Sequence, residues 1–306
     1  MILKSPEEHQ LPQIHSFIKS EAPHFRTSLE RFLKSDSVDN PKANNLSRVI
    51  TKEGRVIAYM CLRDHSLAPS KMRVFKFWIC ECPEREQIAN EFLELSNDNY
   101  SQEVISSAIF EDETWKLNFL KKSRYIEKGQ MWKSNINPQN YRGHEQVITL
   151  PENIRIVSGR EMYSTCDSAL EKFYELEKNI VDIIPAEFPM EPMSFEDFKK
   201  HKENSGFSLD LSFFAVKDNT PIGLSSIMIV EDHVEVMLTG VEKEFQGLGI
   251  AYGLKERAIL ACKKEGYDYL STMNDSVNTP MLSLNSKFSF QKEIAIVRLD
   301  RENSSL

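Results

Sequence analysis

No stretch of this 306-residue chain approaches the ~18 consecutive apolar residues that a membrane helix needs; Leu224 to Val230, interrupted by two serines, is among the longest apolar runs. Lys4, Glu7 and Glu8 precede any apolar stretch, so no signal-peptide core is expected and the reading is of a soluble, cytoplasmic protein with no membrane partner. Basic surplus is also missing. The 38 Lys and Arg stand against 46 Asp and Glu, a formal net charge of -8. Neutralising nucleic-acid phosphates requires excess Lys and Arg, so nucleic acid is not an expected partner. The same balance fits a small cationic ligand such as an amine, though acidity also serves solubility alone.

Cysteine and histidine are sparse and unpatterned. Cys61, Cys80, Cys82, Cys166 and Cys262 are odd in number and contain no C-x-x-C pair, which predicts reduced thiols. The seven histidines show no H-x-x-x-H spacing and no nearby cysteine partner, so no metal site is expected. Glycine is scarce in the first half, where only Gly54, Gly129 and Gly143 of the 11 precede residue 150. Glycine is needed where backbone approaches a ligand or takes positive φ. A ligand loop is therefore expected in the second half.

What is present is an internal repeat. The length suits two domains of about 150 residues, and 41% hydrophobic with 27% charged residues is ordinary globular composition. The first half reads as helices at Pro6–Lys19 and Thr27–Ser35, then a hairpin, Leu46–Lys52 and Arg55–Arg63, turning at Glu53-Gly54. A strand at Met72–Cys80, a helix at Glu84–Ser96, a strand at Val104–Phe110, a helix at Glu113–Lys122 and a strand at Ile126–Ser134 follow. Asn135–Glu145, polar and carrying Pro138 and Gly143, reads as a linker. The second half repeats the plan: a strand at Asn153–Val157, helices at Met162–Lys178 and Phe195–Lys202, a hairpin at Leu211–Lys217 and Ile222–Val230, and a strand at His233–Val241. A helix at Gly247–Glu265, a strand at Asp268–Met273, a helix at Pro280–Lys287 and a strand at Gln291–Leu299 complete it. The expectation is an α/β protein, in detail an α+β arrangement on mixed sheet, with lobes at 1–140 and 146–306.

The second lobe holds the most informative spacing. In His233–Val241, alternation puts Val234, Val236 and Leu238 on one face and His233, Glu235, Met237 and Thr239 on the other. The strand leads into Gln246-Gly247-Leu248-Gly249-Ile250-Ala251, which opens a helix. A glycine-rich turn at a helix N-terminus suits an anion, because free N–H groups, a positive dipole end and missing Cβ atoms converge there. A tight turn with no ligand reads equally from G-x-G alone. A dinucleotide fingerprint is disfavoured, since successive hairpin strands precede the motif and Gly247, Gly249, Gly253 is not G-x-G-x-x-G.

Gln246-x-x-Gly249-x-Ala251, followed by Leu254-Lys255, Thr272-x-Asn274, Asn278-x-Pro280-Met281 and Asn285 ahead of Phe290, resembles the GNAT acetyltransferase superfamily, whose cofactor loop reads Q/R-x-x-G-x-G/A. The likeness covers about residues 153–300, extends to the first half only in element order, and is nearest to two-lobed, mycothiol-synthase-like members. It implies two tandem lobes and acetyl-CoA as cosubstrate. It implies a pyrophosphate on Gln246, Gly247, Leu248, Gly249, Ile250 and Ala251, a pantetheine arm paired to Thr239 and Val241, and cofactor contacts from Asn274 and Asn278. Asn278 or Thr279 also reads simply as the cap of the helix begun by Pro280. The first lobe has Cys82-Pro83-Glu84-Arg85-Glu86-Gln87-Ile88-Ala89 at the matching place, glycine-free and acidic, so it is expected to be a degenerate, CoA-free lobe.

The implied activity is acetyl transfer to an amine of a small molecule or peptide. Glu235 is the expected base with His233 its same-face neighbour, both readable also as a solvated strand edge. The acid for the thiolate is where the pattern breaks: Asn285 stands where many members carry Tyr, and Ser289 replaces a glycine. Ser283, Ser286, water or unassisted departure are the options left, and a non-catalytic acyl-CoA-binding protein on the same fold is the alternative function.

Overall fold

The structure, a computed structural model, describes residues 2–22, 24, 29, 32–33, 45–64, 72–100, 103–143, 150–187, 190–231 and 233–301. In chain order its elements are α1 (Leu11–Glu21), β1 (Leu46–Lys52), β2 (Arg55–Asp64), β3 (Met72–Ile79), α2 (Arg85–Asn99), β4 (Val104–Phe110), α3 (Thr114–Lys122) and β5 (Ile126–Ile136). They continue with β6 (Ile154–Ser158), α4 (Gly159–Thr165), α5 (Ala169–Val181), α6 (Phe195–Asn204), β7 (Phe213–Lys217), β8 (Thr220–Val230) and β9 (His233–Val241). The series closes with α7 (Ile250–Lys264), β10 (Leu270–Asp275), α8 (Thr279–Lys287) and β11 (Gln291–Arg301). The helix expected at Thr27–Ser35 falls mostly outside the described residues, as do Phe188 and Pro189.

The chain divides into two compact units, Met1–Gly129 with Ile296–Leu306, and Gln130–Ala295. In the first, β1, β2 and β3 form an antiparallel meander and β3 runs parallel to β4. The turn at Glu53 and Gly54 has both residues at positive φ, 53° and 77°, the twist that a two-residue hairpin needs. One face of this sheet buries Leu11, Ile14 and Ile18 of α1 against Val49, Tyr59 and Trp78. The other buries Ile88 and Phe92 of α2 and Phe119 and Leu120 of α3 against Met60, Phe75 and Phe77. Strands with apolar residues on both faces need a helix layer on each side, and the element order supplies them.

In the second unit β6, β7, β8 and β9 run antiparallel, β10 joins β9 in parallel, and β5 pairs antiparallel with β10 from Leu270↔Ile136 to Asp275↔Met131. Phe173, Leu176 and Ile180 of α5 and Phe198 of α6 cover one face against Phe214 and Leu224. On the other, Ala258, Ile259 and Cys262 of α7 meet Val234, Val236 and Leu270. The aromatic residues Phe195, Phe207 and Phe214 belong to the first of these cores, around Phe173 at ring distances of 5.0 Å to Phe214 and 5.3 Å to Phe207.

Three expectations from periodicity are corrected. The helix read at Met162–Lys178 is two helices, broken where Ser168 takes φ 54°; Ser158 Oγ caps the first by accepting from the Glu161 N–H. The linker read at Asn135–Glu145 is in part structured: Asn135 and Ile136 are strand, and Gln139 Nε2 donates to the carbonyls of Lys263 and Tyr267 at 2.9 and 3.0 Å. The compact units also do not coincide with contiguous halves. Residues 130–136 complete the second sheet, and Ile296–Arg301 of β11 pairs antiparallel with Phe110–Ile105 of β4 in the first. Strands are recognisable locally, but their partners are not.

That division predicts how the chain tolerates cutting. A fragment spanning 146–306 lacks β5, leaving the backbone of Leu270–Asp275 an open edge, and is expected to aggregate on expression. A fragment spanning 130–295 keeps that edge covered and should stay soluble. Equal solubility of the two by size-exclusion chromatography would refute the assignment of β5.

Candidate active site

The site in the second unit is made by two strands that part. β9 and β10 pair at Leu270↔Val234, Ser271↔Glu235 and Thr272↔Val236, and no further. At the same level β9 carries an irregularity: Ile227 of β8 faces Val236 while Ser226 faces Leu238, so Met237 is an extra residue, a β-bulge. Met237 and Met273 lie 43% and 53% exposed where the strands separate, apolar surface left open by the divergence.

The bulge reverses the alternation beyond it. Glu235 and Thr239 were expected on one face, but the extra residue puts Thr239 with Val241 on the α7 side, while Leu238 and Gly240 turn toward α5. Thr239 Oγ1 lies 3.0 Å from Ser225 Oγ, and Val241 packs with Ile250 and Leu254. A Cβ on Gly240 would come 2.4 Å from Ile180 Cγ2, which accounts for glycine there. The Glu242 N–H donates to Ile222 O at 2.9 Å. Since successive residues of a strand point their backbone groups to alternate sides, those of Thr239 and Val241 face away from β8, into the gap. Gln246 Nε2 donates to Val241 O at 3.1 Å and ties the loop to the strand.

The loop then turns sharply. Gly247 and Gly249 have φ of 80° and 77°, a region that costs any other residue here. Gly249 is the N-cap of α7 without a side chain to cap it, and the first backbone bond of the helix runs from Gly253 N–H to Gly249 O at 3.1 Å. The N–H groups of Ile250 and Ala251 thus have no acceptor within the helix and lie at its positive end. No Cβ contact lies within 4 Å of Gly247. The donors, the dipole and the open backbone fit a diphosphate.

A cavity of about 540 Å³ opens at this point. Thr239, Val241, Gln246, Gly247, Gly249, Ile250, Ala251 and Asn278, to which the resemblance gave cofactor contacts, line it; Leu248 and Asn274, named with them, do not. Asn278 is also the N-cap of α8, its Oδ1 accepting from the Met281 N–H at 3.3 Å, so both readings of this residue meet in one place. The opposite wall, Ile180, Ile183, Ile184 and Pro185, escaped the sequence reading; the signal was an apolar run continuing past the end of α5. Tyr252 and Ser283 are further lining residues. Ser283 was named as a proton-donor option, whereas Ser286 does not line the cavity and its Oγ donates to Ser283 O at 2.8 Å.

Glu235, His233 and Asn285 lie outside the cavity lining. His233 is 2% exposed, packed edge-on to the Tyr269 ring, with Nε2 3.4 Å from Glu235 Oε1. Ser271 Oγ donates to the same carboxylate oxygen at 3.5 Å. The pair is therefore a buried imidazole beside a half-buried carboxylate, one residue before the strands part, rather than a solvated edge. Asn285 is buried and its Nδ2 donates to Asn274 Oδ1 at 2.6 Å, joining α8 to β10. Ser289, at φ 62°, sits where the family pattern has glycine, closing α8 with a bond from Phe290 N–H to Asn285 O at 3.1 Å; Gly266 closes α7 and Arg124 closes α3 with the same left-handed geometry.

One buried group stands apart. Lys255 of α7 is fully enclosed, with no hydrogen-bond partner for Nζ among the described residues and the Phe290 ring centre 4.9 Å away. Burial pushes its amine down to about 7. All five cysteines are free, no group of His, Cys, Asp and Glu among the described residues suits a metal ion, and no described helix is long and apolar enough to cross a membrane.

The sequence model of the acetyltransferase (GNAT) family matches residues 171–290. No curated protein sequence matches the chain. Among solved structures, a GCN5-related N-acetyltransferase from Sphaerobacter thermophilus superposes with a TM-score of 0.75 at 14% identity, covering 100% of this chain and 97% of that one. A tandem GNAT protein from the clavulanic acid biosynthesis pathway gives 0.71 at 14% identity with 100% of both chains covered. A GNAT-family acetyltransferase from Colwellia psychrerythraea gives 0.62 at 10% identity, with 99% and 100% covered. Residues 171–290 thus match the acetyltransferase (GNAT) family model, and the chain as a whole has the fold of tandem GNAT proteins.

Proposed function

We propose that the protein is an acetyl-CoA-dependent N-acetyltransferase acting in the cytoplasm on the amine of a small molecule or peptide, with the cosubstrate in the second unit and the first unit a lobe that has lost it. The observation that carries this reading is the cavity itself, which joins the glycine turn at the α7 N-terminus to the gap between β9 and β10. The bound cosubstrate supplies an acetyl thioester. The N–H groups of Gly247 to Ala251 would hold its diphosphate, and the outward backbone groups of Thr239 and Val241 would bind its amide-bearing arm as an added strand.

The bulge gives the two sides of the sheet separate tasks. Thr239 and Val241 serve the α7 side, while Glu235 waits on the other face one residue before the strands part, where an amine would enter. Its carboxylate would take a proton from the bound ammonium, directly or through water and with His233 beside it as relay, leaving the neutral amine to attack the thioester carbonyl. A backbone N–H near Val241 would stabilise negative charge on the carbonyl oxygen. Asn285, engaged with Asn274, holds α8 against β10 and is not an acid; Ser283, one of the hydroxyls in the cavity wall, would take that task.

A screen of amines with acetyl-CoA, read by release of free thiol, tests the activity. With a turned-over amine in hand, Glu235→Gln is expected to lower kcat by roughly 10²–10⁴, the span of a lost general base, while CoA affinity stays within a few-fold. If His233→Ala is crippling and Glu235→Gln is mild, the two roles exchange. Saturable CoA binding with no turnover on any amine would instead favour an acyl-CoA-binding protein.

A further inference from the structure

The first unit has a cavity of its own, of about 290 Å³, at the place where the second unit has the cofactor cleft: past the end of α1, beside the last residue of β3 and the start of α2. Its apolar lining residues are Ala22, Ile79, Phe110 and Trp115. Its polar groups fall into two kinds. Asp112 is paired with His24 at 2.9 Å and Glu113 with Lys116 at 2.5 Å, so these charges are spoken for. Glu21 and Arg85 face the cavity with opposite charges, yet among the described residues neither side chain makes an ion pair or a hydrogen bond.

Both are placed against the helix dipoles. Glu21 is the last residue of α1, where exposed carbonyls favour a cation; Arg85 is the first of α2, where free N–H groups favour an anion. Arg85 is held rather than loose: its guanidinium stacks on Trp115 at 4.1 Å, and its buried Nε has no acceptor. Burial raises the Glu21 carboxyl, with Glu81 adding to that and Arg85 and Lys116 opposing it. The acidic residues that spoke against a diphosphate do not interfere, for Glu84 turns to Lys52 at 3.6 Å, Glu86 is exposed, and neither lines the cavity.

A ligand bearing an ammonium and a carboxylate satisfies both helix ends at once. We propose that this cavity is a binding site for a free, apolar α-amino acid, with its ammonium on Glu21 at the end of α1, its carboxylate on Arg85 at the start of α2, and its side chain against Ile79, Phe110 and Trp115. A site of this size excludes CoA. The inference stands apart from the acetyltransferase reading, since none of its residues belongs to the second unit.

Titration calorimetry on the full-length protein tests it, with L-leucine and L-phenylalanine as probes. One site per chain is expected, and the half-molecules 3-methylbutylamine and 4-methylpentanoate should each bind at least about tenfold more weakly, because one of the two half-buried charges is then left unpaired. Glu21→Gln and Arg85→Gln should each weaken the amino acids by a similar factor and leave CoA binding unchanged. The wild-type comparison decides the matter even where a variant folds poorly. No binding of either amino acid, equal binding of the amine alone, or two CoA molecules per chain would overturn the assignment.

Discussion

Glutamate at position 249 is expected to abolish CoA binding, raising the dissociation constant by more than about 100-fold, equivalent to about 3 kcal/mol. Two effects add. Gly249 holds φ at 77°, where a Cβ strains the backbone by about 1–2 kcal/mol, and the new carboxylate would occupy the positive end of α7 that a diphosphate needs. Gly249→Ala separates the two, since it carries the strain without the charge, and should bind CoA with only modest loss. Calorimetry on the two variants, with circular dichroism to check the fold, measures both. A Gly249→Glu protein binding within a few-fold of the parent would place the anion elsewhere.

The second large effect concerns stability. Lys255 replaces an apolar residue's packing with an amine that has no hydrogen-bond partner among the described residues, and its pKa falls from 10.5 to about 7 through burial. Between those values the unfolded chain carries a proton that the folded chain has shed, so unfolding is favoured by lower pH. Stability contributed by this residue therefore rises from about pH 7 to about pH 10.5, by a few kcal/mol in all, at roughly 1.4 kcal/mol for each step of one in pH. Lys255→Met fills a similar volume with no buried amine and should stabilise the protein at pH 7 by about 2–4 kcal/mol. Urea unfolding of both proteins at about pH 7 and about pH 9.5 should show the gap narrowing at the higher value. A variant that is less stable, or a gap that does not change with pH, would mean that the amine has a partner in the folded protein.

How much of this was legible in the sequence depended on whether the signal was local. Both hairpin turns were, because Glu53-Gly54 and Asp218-Asn219 are residue pairs that tolerate positive φ, and all four adopt it. The sharp turn ahead of α7 was legible for the same reason, through the two glycines at 247 and 249. The bulge at Met237 was not: a methionine fits the alternation of β9 on either face, and only the pairing with β8 shows that it is supernumerary. The Asn274–Asn285 hydrogen bond was hidden because each asparagine also reads as turn chemistry. The cavity in the first unit was missed because acidic residues at 84 and 86 drew the reading, while the deciding pair, Glu21 and Arg85, are 64 positions apart in sequence.

The place of Ile296–Arg301 beside β4 has a consequence for how the protein is made. On the ribosome, β4 emerges long before its partner, and the entire second unit must be synthesised in between. Until then the backbone of Ile105–Phe110 is an unpaired edge, able to recruit a neighbouring nascent chain. Vectorial folding, in which an amino-terminal domain matures while the rest is still being translated, can proceed here only as far as a sheet with β4 at its open edge. Its first unit matures last, by a contact of high sequence separation that forms slowly. Refolding yield from denaturant should accordingly fall steeply with protein concentration, and chaperones that shield strand edges should raise it.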